Sequence, residues 1–159
     1  GDAALFELLL AAAVKEPDRN LRMPLLSALG SFRDPQLGRR SLGLILDQRF
    51  VTREAMPIFY GVASNPETRP LASEYLERSF DTLVAKLPRD AAANFPRAFA
   101  GACTIKEREY LGVYFNSRST RYLGGERVLR QVLERVSLCL ELRRATQEGL
   151  SNTLSTLIP

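Results

Sequence analysis

Three carboxylates, Glu74, Glu77 and Asp81, recur at i, i+3 and i+7 and so fall on one stripe of a helix. Such a stripe holds a hard cation, or works as an acid–base pair, when a second helix supplies a further acid. No motif elsewhere supplies it, and Arg78 and Lys86 lie nearby to offset the charge, so the stripe reads as a solvated face. Glu107 and Glu109 fall on opposite sides of their helix and form no dyad. Cys103 and Cys139 are 36 positions apart with no C-x-x-C spacing, and two thiols do not close a zinc site. A disulfide between them stays open, although isolated, apolar-flanked cysteines are more often buried small hydrophobes. The chain has no histidine. That removes Ser-His-Asp triads, Cys-His dyads, H-E-x-x-H zinc sites and imidazole acid–base chemistry. Nor is there a G-x-G-x-x-G, a Walker lysine or a G-x-S-x-G elbow. No catalytic, cofactor-binding or metal-ligating set is expected in these residues.

Arginine dominates the charge: 19 Arg and 3 Lys stand against 18 acids, a net charge of +4. Arginine forks suit phosphate, but the signs alternate, as in Glu107-Arg108-Glu109 and Glu134-Arg135. Alternation describes solvated helix faces better than a polybasic arm, so nucleic acid is not the expected partner. Arg39-Arg40 and Arg143-Arg144 read as exposed helix-end arginines. Phe95, Phe99, Tyr110, Tyr114 and Phe115 read as core and not as a base-stacking platform. The longest apolar run, Leu8 to Val14, is too short to span a bilayer and lacks a basic leader, so no membrane partner is expected. The opening Gly1-Asp2 without methionine suggests a processed fragment and leaves the compartment unread.

The elements that position these residues are helical throughout. At 159 residues, 45% of them hydrophobic, the chain suits one domain with a real core. Asp2 is expected to cap a helix to about Lys15, and Asp18 or Asn20 the next, up to Gly30. Asp34-Pro35 opens a third helix, Thr52 a fourth, and Pro70 lies in the first turn of a fifth reaching about Leu87. Ala91 to Ala102 reads as a short Ala/Phe helix, and Thr104 to Glu107 has capping-box spacing. Val128, Leu129, Val132, Leu133, Val136 and Leu140 give the best amphipathic helix, followed by a last one from about Arg144 to Leu157. Kinks or one-turn shifts are expected at Pro24, Pro57 and Pro96. The sum is about nine helices. Helix starts 14 to 17 apart imply hairpins of about 31 to 34 residues. The expected fold is all-α: an α-solenoid of stacked antiparallel helix pairs, HEAT/armadillo-like, with a generic helical bundle as its competitor.

The stretch from Val51 to Leu87, VTREAMPIFYGVASNPETRPLASEYLERSFDTLVAKL, resembles part of the C-terminal helical domain of the aminopeptidase N family. These zinc metallopeptidases include the puromycin-sensitive and endoplasmic-reticulum aminopeptidases. Asn65-Pro66 matches the family's Asn-Pro-x-Gly turn, and Leu71-Ala72 matches its Leu-Ala-Trp helix start. The segment LLSALGSFRDPQLGRRSLGLIL is similar to the preceding hairpin. VLRQVLERVSLCLELRRATQEGLSNTLSTL is similar to the closing helices, so the likeness runs from about Asp2 to Leu157. Thr68 stands for the turn glycine, Ser73 for the first tryptophan, and Ser79-Phe80 for an Asn-Trp pair; the likeness is to a divergent member.

The resemblance implies a C-terminal, non-catalytic domain of a zinc aminopeptidase, a fragment of a larger polypeptide. The family's H-E-x-x-H and G-A-M-E-N motifs lie in an upstream domain and match nothing here, so zinc belongs to that upstream part. It further implies that the domain's partners are the catalytic domain of the same polypeptide and the peptide substrate, whose access it would limit. Arg69, beside the Asn65-Pro66 turn, is the candidate substrate-facing residue, a match for a peptide carboxylate. The plainer reading of Arg69 is an exposed arginine in a first helical turn. Two other functions compete: a free-standing helical-repeat scaffold, and an Arg-rich nucleic-acid binder. A fragment should leave an apolar patch where its neighbour packed, and the helix from Leu5 to Val14 is the place expected for it.

Overall fold

Short side-chain caps set the first three helix starts. In the computed structural model, which describes residues 2–157, Asp2 accepts the Leu5 N–H, Asp18 that of Asn20, and Asp34 those of Gln36 and Leu37. These caps open α1 (Ala3–Lys15), α2 (Arg19–Leu29) and α3 (Pro35–Leu44). α4 (Thr52–Ser64) and α5 (Arg69–Lys86) follow, then a 3-10 helix (Ala91–Phe99), α6 (Ile105–Ser119) and α7 (Gly125–Leu157). The described residues therefore form eight helices and no strand.

These helices pair in chain order: α1 with α2, α3 with α4, α5 with the 3-10 helix, α6 with α7. First members begin 32, 34 and 36 residues apart, close to the hairpin period read from the sequence. The second members stack in succession, α2 on α4, α4 on the 3-10 helix, and that helix on α7. Each pair thus buries its apolar stripe on the next, as in an α-solenoid. α2 and α4 cross closely because two glycines meet there. A Cβ on Gly30 would sit 2.6 Å from the Ile58 carbonyl oxygen, and one on Gly61 2.8 Å from Gly30. Phe59 of α4 packs against Phe95 and Phe99 at ring distances of 5.9 and 6.0 Å, and Phe80 of α5 meets Phe95 at 5.7 Å. These aromatics, with Phe115, are core, as their spacing implied.

Four expectations change. The helices separated near Arg144 are one helix, α7, because Leu140 to Ala145 contains strong helix formers and no breaker. Ala91 to Phe99 winds as a 3-10 helix. It includes Pro96, whose missing N–H removes an α-type bond. α2 and α4 carry on through Pro24 and Pro57, which lie in their second turns, so the freed carbonyl belongs to the helix start. Finally, Cys103 and Cys139 are joined in a disulfide with Cα atoms 5.5 Å apart. The antiparallel α6–α7 hairpin lays Cys103, two residues before α6, beside the middle of α7. No described helix is long and apolar enough to cross a membrane.

Candidate functional site

At the turn between α4 and α5 the chain must satisfy the last carbonyls of α4, which have no partner within their own helix. Two side chains of the next turn do so. Thr68 donates its hydroxyl to the Val62 carbonyl at 2.8 Å. Arg69 donates Nε to Ala63 O at 2.9 Å and Nη2 to Ser64 O at 3.2 Å. A guanidinium at a helix C-terminus also meets the negative end of its dipole. Thr68 has φ −108°, so the position where the family's pattern has glycine requires none here.

The same guanidinium reaches forward to α6. Its Nη1 donates to Glu107 Oε1 at 2.6 Å. The other Glu107 oxygen accepts the Thr104 hydroxyl at 2.7 Å and the Cys103 N–H at 3.1 Å, while Thr104 Oγ1 accepts the Glu107 N–H. Thr104 thus caps α6 as its spacing implied, while its glutamate reaches back to the Cys103 N–H in place of the Thr104 N–H of a capping box and is drawn into a larger network. Burial pushes the Glu107 carboxyl up, but the Thr104 and Arg69 hydrogen bonds, then the Cys103 N–H, outweigh it and hold it below the usual range. Through the Cys103–Cys139 disulfide the chain of contacts continues into α7.

This placement corrects the plainer reading of Arg69. It is no exposed first-turn arginine: its side chain is 6% exposed, and its charge is met by Glu107. The charge expected to attract a peptide carboxylate is thus already engaged. Sequence spacing gave no signal for a pair 38 residues apart, although the capping-box spacing had singled out Glu107.

Beside this network lies a cavity of about 430 Å³ between α5 and α6. Phe99, Ala102, Leu111 and the Tyr110 ring give it apolar walls, and Arg69 and Glu107 reach one end. Small Ser73 stands in its wall, and the Tyr110 hydroxyl donates to the Ser73 carbonyl at 3.4 Å. Tyr110 stacks on Tyr114 at 5.4 Å with 13° between the planes. Burial, then the charge of Glu77, pushes the Tyr110 phenol well up. Glu74 and Glu77 edge the cavity from α5 and Lys106 edges it from α6, all three exposed.

The other candidates stay apart. Asp81 is exposed beyond the cavity, and no group of three metal-ligating side chains occurs among the described residues. Arg39 is exposed, while Arg40 pairs with Glu7 at 2.7 Å and covers the Phe6 ring at 4.5 Å. At the opposite end of the solenoid, α1 leaves Leu5 44%, Leu8 69% and Val14 45% exposed.

A family model described as ERAP1-like C-terminal domain matches residues 1–138. No curated protein matches the chain.

Proposed function

Since the chain belongs to the ERAP1-like C-terminal domain family, the C-terminal domain of aminopeptidases, we propose that it serves a zinc aminopeptidase as a non-catalytic wall of the peptide chamber. The family match over residues 1–138 carries this reading. In it, zinc and the peptide-cleaving groups belong to the upstream catalytic domain. This chain does not fit a catalytic zinc site: it has no histidine, and no three-ligand cluster among its described residues. The catalytic domain and the peptide substrate are its partners, and its contribution is positional, limiting which peptides enter.

The exposed apolar face of α1 supports a domain that continues into a neighbour, because a free-standing solenoid ends on a polar capping helix. Arg69 enters this function as the residue that fixes the α5–α6 wall of the chamber.

Two assays test the reading. Purified 159-residue chain should neither hydrolyse leucine p-nitroanilide nor retain stoichiometric zinc; robust hydrolysis by this chain overturns the assignment. Removing the chain from its parent polypeptide should spare hydrolysis of that small substrate and alter the dependence of rate on peptide length. An unchanged length profile would reject the chamber role.

A further inference from the structure

We propose that the cavity between α5 and α6 is a binding pocket for a basic side chain of a peptide. Its walls accept an aliphatic stem: Phe99, Ala102, Leu111 and the face of Tyr110 present apolar atoms. Its rim accepts a cation. Glu74 and Glu77 stand one helical turn apart on the α5 side, and neither carboxylate has an ion-pair partner among the described residues. The two positive charges at the cavity do not cancel them. Arg69 is buried and answered by Glu107, and Lys106 is a single exposed ammonium on the facing helix. An entering carboxylate would face two acids that no cation pairs among the described residues, Glu77 being hydrogen-bonded to the neutral Tyr110 side chain, whereas a lysine or arginine stem buries its methylenes and keeps its charge at the rim. Ser73 makes room for it, being the small residue between Ala72 and Glu74 in the cavity wall. The inference rests on the chamber reading only in taking the cation to be a peptide's.

The test uses the purified chain and capped pentapeptides Ac-Gly-Ala-Xaa-Ala-Gly-NH2 with lysine, norleucine or glutamate at Xaa, followed by amide NMR shifts. The lysine peptide should move the amides of Ser73 to Glu77 and Lys106 to Leu111, and bind about tenfold tighter than the norleucine peptide. In the doubly substituted Glu74→Gln, Glu77→Gln chain the two affinities should converge; both sites are exposed, and circular dichroism checks that the fold is kept. Ser73→Trp should weaken both peptides by filling the cavity. Equal binding of lysine and norleucine peptides, tighter binding of the glutamate peptide, lysine preference surviving the double substitution, or no shifts at these amides would each overturn the proposal. No catalytic domain is present in this titration, so its failure leaves the aminopeptidase reading standing, and the length-profile assay fails independently of it.

Discussion

Arg69 and Glu107 meet at 2.6 Å across the gap between α5 and α6, and the same guanidinium holds the last two carbonyls of α4. One side chain thus ties three helices together. Arg69→Ala should strip those carbonyls and leave Glu107 facing an uncompensated, half-buried position, at a cost of about 3 kcal/mol. Glu107→Gln keeps an acceptor for Thr104 and should cost about 1–2 kcal/mol. Urea denaturation of the two variants checks the order; an Arg69→Ala midpoint equal to that of the unsubstituted chain would dismiss the tie.

Glu107 also sets a pH dependence. Its carboxyl is held below the ordinary value of 4.5, so the unfolded chain binds its proton more readily than the folded one. Stability is therefore present above that ordinary value and falls as pH drops through the lower, folded one. Urea midpoints between pH 3 and 6 should rise with pH more steeply in the unsubstituted chain than in Glu107→Gln. Parallel curves would remove Glu107 from the acid sensitivity.

Much of this arrangement was legible in the sequence because it is local. Asp2, Asp18, Asp34 and Thr104 announce helix starts through bonds spanning two or three residues, and the hairpin period follows from them. Partners far apart in sequence left no such mark. Arg69 looked like one arginine among many, and its burial depends on Glu107 arriving from the next helix pair. Cys103 and Cys139 looked like small apolar residues until the α6–α7 hairpin fixed their distance. The cavity is the least legible element, since its lining comes from α5, the 3-10 helix and α6, which meet only in the fold.

The disulfide closes a loop of 36 residues that contains all of α6. Cross-linking a loop of that size removes unfolded-state freedom worth about 3–4 kcal/mol. The paired Cys103→Ala, Cys139→Ala chain should therefore melt about 10 °C lower. Dithiothreitol should lower the melting temperature of the unsubstituted chain and leave that of the double variant unmoved. Two reactive thiols in the native, unreduced chain would contradict the pairing.

Gly61 and Gly112 differ in what a side chain would meet. At Gly61 an added Cβ approaches the Gly30 backbone at 2.8 Å, where neither helix can yield without moving α2 off α4. Gly61→Ala should destabilise by about 3 kcal/mol. Gly112, inside α6, has nothing within 4 Å of its added Cβ, so Gly112→Ala should stabilise by about 0.5–1 kcal/mol through helix propensity. Opposite shifts in the urea midpoint are expected, and a shared sign would show that backbone approach does not govern the α2–α4 crossing.

Leu8 is 69% exposed and Leu5 44%, on a helix whose only charged side chains are Glu7 and Lys15. Keeping such a surface wet forfeits about 25 cal/mol per Å² of apolar area, so the face favours any apolar cover. Phe6 and Ala13 already anchor the opposite face of α1 in the core, so changing the outer face should leave folding intact. The chain carrying Leu5→Lys and Leu8→Lys should keep its urea midpoint within about 0.5 kcal/mol. The unsubstituted chain should self-associate with rising concentration in light scattering, and the substituted chain should not. A strictly monomeric unsubstituted chain at high concentration, with no binding of a hydrophobic dye, would show that α1 needs no neighbour.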